Sequence, residues 1–354
     1  MRARIGPKIL LASATTAALG AALTAAASPA AAQPAPSGTV AAGGALDLTI
    51  SGFARFLAAG GQLRDKGQFV LGDIPSTSGN FDFRNDTEVH VFARGRDEAT
   101  GLEYGATIEL EADINGDSNP FSGNPGGNTD ETWVFLRGGF GELRFGDVDG
   151  PEEAMKAGAY SVAVGSGGLD GEIVGSRLLV ENASLANDDA TKIVYYTPTL
   201  AGFQAGLAFT PDDGAARFTG TASSVGGGDR IKNTKDLTAE DIVSGGLSYV
   251  NVFGDLAVKT SVVGRWGRLD TSPLESNVDD IWMVYGGLAV TYGRLSLAGG
   301  IGKSQDLSVA TTLNVPIGTN ERAYYNLGAA VQLEGFTVSF NYGFAEFEDA
   351  GGPF

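Results

Sequence analysis

Cysteine is absent from this chain, and histidine occurs once, at His90. Without thiols there is no disulfide, no thiolate metal site and no cysteine nucleophile, so the fold must hold by packing and hydrogen bonding alone. A lone histidine argues against a histidine-built metal centre or catalytic triad. Basic residues are also scarce: 24 Lys and Arg stand against 42 Asp and Glu, a formal net charge of −18. Phosphate backbones would be repelled by that balance, which excludes nucleic acid as a partner. Long apolar runs are missing beyond the N-terminus, so a membrane role has to come from strands.

What is present begins with a targeting segment. Arg2, Arg4 and Lys8 precede an apolar, alanine-rich run over 9–27, and Ala30, Ala31 and Ala32 offer the small residues a signal peptidase needs. Residues 1–32 therefore read as a signal peptide, against the alternative of an uncleaved membrane helix. Cleavage removes three basic residues and no acid, leaving 21 against 42, or −21. Residues 33–45, rich in Pro, Ala and Gly and without periodicity, read as a flexible leader.

From Leu46 onward the chain alternates. Leu46, Leu48, Ile50, Ala54 and Phe56 face one way, while Asp47, Thr49, Ser51 and Arg55 face the other. Leu102, Tyr104, Ala106, Ile108 and Leu110 oppose Glu103, Thr107, Glu109 and Glu111 in the same manner. A row of carboxylates inside a dry core would be prohibitively costly, but lining a water-filled lumen it costs little. Thirteen such segments follow one another up to Phe347, joined alternately by long polar gaps and by turns of a few residues. That rhythm predicts an all-β fold, an antiparallel up-and-down transmembrane barrel with two unlike rims. Aromatic residues near strand ends (Tyr195, Tyr196, Phe209, Tyr249, Phe253, Tyr292, Tyr342, Phe344) suit interfacial girdles. An odd number of strands cannot close such a barrel, so the sequence reads as stopping roughly three strands short.

One connection differs from the rest. Residues 148–189 hold Asp149, Glu152, Glu153, Asp170, Glu172 and Glu181 together with apolar stretches that would not stay in water. Folding inward against the wall would bury those stretches and set the acids across the lumen as a constriction. A solvated external flap is the competing reading.

A family resemblance enters here. The run from Thr132 to Asp147 (TWVFLRGGFGELRFGD) resembles the strand–turn–strand signature of the Gram-negative general porins, and it directly precedes the long third external loop. Lys192 to Pro198 (KIVYYTP) is similar to that family's next hairpin, and Leu48 to Arg55 (LTISGFAR) to its first strand. Gly146–Asp147 before the loop is similar to the alphaproteobacterial members. The resemblance implies a sixteen-stranded homotrimeric barrel in the outer membrane, in contact with lipid and lipopolysaccharide, whose pores pass small hydrophilic solutes. It also implies a basic cluster on the first strands that opposes the acidic loop, and Arg55 matches a member of it. Register and alternation set Arg84, Glu88, Arg94 and Glu109 on the same inward wall, with His90 lining the lumen and Arg144 counted with them. Glu88 stands where the family commonly has an arginine, which predicts preference for cations.

Two weaker features remain. Asp113, Asn115 and Asp117 mimic the start of a calcium loop, but Ser118 stands where glycine is required and Asn124 where a glutamate should close it. No other cofactor is predicted. A secreted acidic β-protein with calcium-binding loops is the second functional reading. Glu109 and Glu111 share a strand face at catalytic spacing, yet the lumen explains their whole row, so no enzyme is expected.

Overall fold

The computed structural model describes residues 39–42, 46–60, 81–111, 128–163, 190–212, 239–269, 279–310 and 315–347. They form fourteen strands: β1 (Thr39–Ala42), β2 (Leu46–Gly60), β3 (Phe81–Asp97), β4 (Leu102–Glu111), β5 (Asn128–Gly138), β6 (Gly141–Asp147), β7 (Thr191–Tyr196), β8 (Phe203–Asp212), β9 (Ala239–Phe253), β10 (Leu256–Leu269), β11 (Ile281–Tyr292), β12 (Leu295–Ala310), β13 (Val315–Leu333) and β14 (Phe336–Phe347). Each pairs antiparallel with its neighbours in chain order, giving one sheet of the up-and-down β-barrel type. Thirteen of the strands are those the alternation predicts. The fourteenth, β1, lies in the expected leader and pairs Thr39 with Thr49 through Ala42 with Leu46. Edge pairing uses backbone groups alone, so its short sequence carries no periodic signal.

A second correction concerns residues 304–319, which the sequence reads as one of the long polar gaps between segments. Instead, β12 and β13 continue pairing from Ser304–Arg322 to Ala310–Val315, with a register shift between Ser308 and Val309. Leu307, Val309, Val315 and Ile317 keep the alternation there, but the intervening Asp306, Ser308, Pro316 and Gly318 are residues that punctuate loops. The opposite rim behaves as read: Gly254 and Gly293 take φ of 64° and 58° in tight turns, a conformation glycine adopts without strain.

The outward face carries a continuous apolar band. Val134, Leu207, Leu247, Val262, Val284, Leu288, Ile301, Leu327 and Phe340 are all exposed, Ile301 to 68%. In water this would be untenable across so many adjacent strands; in a bilayer it is the requirement. Aromatic side chains border the band. Phe203 and Tyr249 pack at 4.6 Å near the short-turn rim, where Phe253 and Tyr292 are also exposed. At the other border Trp282 sits opposite Trp266. From Trp282 to Tyr292 along β11 is about ten residues, which at about 3.3 Å each and a tilt of about 40° spans about 25 Å of bilayer. Tyr196 does not belong to this girdle. It is buried on the inward face, because adjacent strand residues point to opposite sides and Tyr195 takes the outward position.

Candidate functional site

The inward face has two differently built walls. Along β8 to β13 it is lined at its middle by small residues: Gly206, Gly246, Gly287, Gly300 and Gly328. Into this trench the chain leaving β6 lays itself. A short helical turn at Pro151–Ala154 and a 3-10 turn at Ala159–Ser161 carry it across. The first turn packs on β8, β9 and β10, the second on β12, β13 and β14. Approach is so close that a Cβ on Gly287 would lie 1.7 Å from the Ala157 carbonyl oxygen, and one on Gly206 2.8 Å from Met155 Sδ. Val148, Ala157 and Ala159 are wholly buried, so the segment is part of the packed interior.

Polar contacts hold it in register. The Ala159 amide donates to Asn326 Oδ1 at 2.9 Å, and Asn326 Nδ2 donates to the Tyr285 hydroxyl at 2.9 Å. Tyr285 stacks on Tyr324 with ring centroids 5.9 Å apart. Lys192 donates its ammonium to the Val148 carbonyl. At the entrance the Asp149 amide donates to Glu131 Oε1 at 2.8 Å, while Glu131 Oε2 accepts from Trp133 Nε1 at 3.0 Å. Glu131 falls at the register shift between β4 and β5, where Ile108 faces Thr132 but Leu110 faces Thr129. The extra residue of such a bulge re-aims a side chain, and here it points a carboxylate at the root of the segment.

The second wall, β3 to β6, is charged. A ladder of ion pairs runs across it near the short-turn rim: Arg96 to Glu103 at 3.3 Å, Glu103 to Arg137 at 3.7 Å, Arg137 to Glu142 at 2.6 Å and Glu142 to Arg144 at 2.7 Å. The Arg144 guanidinium lies 4.4 Å over the Trp133 ring and 5.1 Å over Tyr196. Aromatic faces shield one side of the cation while carboxylate takes the other. Further along the wall Glu88, His90 and Glu109 converge on one patch.

The predicted site residues divide accordingly. Glu88, His90, Arg94, Glu109 and Arg144 stand in one inward set on β3, β4 and β6, fixed by direct cross-strand partners such as His90–Glu109 and Arg94–Asp47. Arg55 and Arg84 occupy strand positions opposite Asp86 and Leu57; their side chains fall outside the described residues. Of the loop acids, Asp149, Glu152 and Glu153 lie on the inward segment, but Glu152 is not presented across the lumen as expected. Glu152 is 3% exposed, turned to the wall, and Glu153 takes the Lys156 ammonium at 2.6 Å. The segment hugs the trench, so Glu152 meets packed side chains rather than open water. Asp170, Glu172 and Glu181, and the calcium-like Asp113, Asn115 and Asp117, lie outside the described residues. Sequence reasoning missed the trench glycines and Asn326. The available signal was glycine recurring at alternate positions, as in Gly300 and Gly302, on the face where other strands carry polar side chains.

Comparison with known proteins decides the family. A family model described as Gram-negative porin matches residues 15–353. The chain belongs to the Gram-negative porin family. Among solved structures this porin is similar to an anion-selective porin from Comamonas acidovorans, at 17% identity and a TM-score of 0.51, over 86% of this chain and 80% of that one. It is also similar to the outer membrane channel DcaP of Acinetobacter baumannii, at 12% identity and a TM-score of 0.53, over 86% and 80%. At such identities the likeness concerns the fold. An uncharacterized protein of Rickettsia bellii (strain RML369-C) is 27% identical over 191 residues, 42% of this chain. The match spans 44% of that relative's length. Family and fold together place the protein in the outer membrane.

Proposed function

We propose that the protein is a passive outer-membrane diffusion channel for small hydrophilic solutes and ions. The observation that carries this reading is the opposition of the two sheet faces. An unbroken apolar band faces outward, while charges and hydroxyls face inward and the chain's own segment lies against that inner wall. The segment over 148–163 narrows the lumen from the β8–β13 side, and among the described residues no loop covers the β3–β6 wall. Solutes then pass between a packed, small-residue surface and a charged one, which selects by size and charge without a dedicated binding pocket. The same outward band argues against a water-soluble calcium-dependent adhesion module.

Cation preference belongs to this proposal. Acids outnumber bases across the chain, and the arginines near the short-turn rim are already matched by Glu103 and Glu142. Glu88 and Glu109 face the lumen on either side of His90. Assembly as a homotrimer among outer-membrane lipid and lipopolysaccharide and export by a cleaved signal over 1–32 complete the reading, as expectations carried from the sequence and its resemblance. The test is reconstitution of the folded protein in planar bilayers under a potassium chloride gradient. A channel with a reversal potential of cation-selective sign is expected. An anion-selective sign would overturn the charge preference, and absence of conductance would overturn the channel.

A further inference from the structure

His90, the chain's lone histidine, sits between two carboxylates on the β3–β6 wall. Its Nε2 lies 2.7 Å from Glu88 Oε2 and 3.8 Å from Glu109 Oε2. The three donor atoms all fall within 4.8 Å of one another. The juxtaposition is set by the sheet: Glu88 and His90 are two apart on β3, hence on one face, and Glu109 is the direct cross-strand partner of His90 on β4. The imidazole is held edge-on by two rings, Phe53 at 6.1 Å and Phe92 at 6.0 Å. All three side chains keep between 14% and 19% of their surface exposed, so the patch is shielded yet reachable from the lumen.

Two carboxylates this close repel each other, and one imidazolium proton offsets only half of their charge. A divalent cation offsets both. Coordination by one imidazole nitrogen and two carboxylate oxygens suits zinc and its first-row neighbours, whereas calcium and magnesium favour all-oxygen cages. Tetrahedral zinc at about 2.0–2.2 Å from its ligands spaces those atoms by roughly 3.4 Å. The separations of 2.7 and 3.8 Å bracket that value, so rotation of flexible glutamate side chains completes the geometry. Three protein ligands leave one position for water from the lumen.

We infer that Glu88, His90 and Glu109 form a binding site for a divalent cation of the zinc class in the channel wall. A single histidine does not exclude a metal site here, because two carboxylates on adjacent rungs supply the remaining ligands. Binding exchanges a negative patch for a neutral one and so lowers the preference for cations; this consequence, unlike the binding itself, rests on the channel reading.

The experiment uses the full chain folded in detergent and titrated with zinc chloride in a calorimeter, alone and with excess calcium chloride. One zinc per chain is expected. His90→Gln and Glu109→Gln, each taken only in its folded, heat-modifiable form, are expected to weaken binding by at least about tenfold. Calcium is expected not to compete. No saturable binding, affinity unchanged in His90→Gln, or displacement by equimolar calcium would each overturn the site. In bilayers, zinc is expected to move the reversal potential toward the anion side in the parent protein and not in His90→Gln. Zinc binding without that shift in a conducting protein would overturn its placement on the ion path.

Discussion

The two inner walls of this porin obey the same alternation and the same outward chemistry, yet they are built for different neighbours. Along β3 to β6 the inward positions are long and charged, satisfied by one another in the ladder from Arg96 to Arg144 and open to solvent between. Along β8 to β13 the middle of the wall carries glycines that leave room for another piece of the chain, pinned by Asn326, Tyr285 and Lys192. The difference shows that period-two patterning fixes only which face is inward. What that face meets, water or protein, is set by side-chain size at the inward positions.

Substitutions should therefore rank by which face and which wall they touch. The largest effect is expected from Leu247→Arg, at the middle of the outward band on β9. A cation at bilayer midplane costs about 2–4 kcal/mol, and loss of the heat-modifiable band on gels is the readout. Gly287→Val comes next, since its side chain would collide with the Ala157 carbonyl. Overpacking of this kind costs about 1–3 kcal/mol. The segment over 150–163 should leave the trench and become cleavable by added protease while the barrel stays folded. Asn326→Leu keeps the branched shape but strips the Ala159 amide and the Tyr285 hydroxyl of a buried partner. About 1–3 kcal/mol is expected, seen as the same protease sensitivity at lower temperature than in the parent. The smallest effect is expected on the charged wall: Arg96→Ala removes an exposed pair with Glu103, at about 0.2–1 kcal/mol and with no change in protease pattern. If Arg96→Ala released the segment and Gly287→Val did not, the two walls would have been assigned the wrong way round.

Much of this was legible in the residues. The apolar positions of β4 and β9, the short turns at Gly254 and Gly293, and the inward direction of the connection after Asp147 all follow from patterns a strand must show when one face meets lipid. The edge strand β1 was not legible, because four residues joined by backbone hydrogen bonds carry no side-chain signature. Nor was the extension of β12 and β13, whose Asp306, Ser308, Pro316 and Gly318 read as loop residues. Glu152 illustrates the limit at the site. Its charge suggested the lumen, but proximity to Pro151 and Met155, both held in the glycine trench, turns it to the wall. Long-range packing of that kind depends on which strands lie opposite, and no local pattern contains it.

The most direct test of the central claim, a water-filled channel narrowed by a segment seated in the glycine trench, is single-channel conductance of the parent protein and of Gly287→Val in the same planar bilayers. The account predicts discrete steps from the parent and larger steps from the variant, whose segment no longer occupies its trench. Steps of equal size with the segment demonstrably released, or no steps from the folded parent, would contradict it.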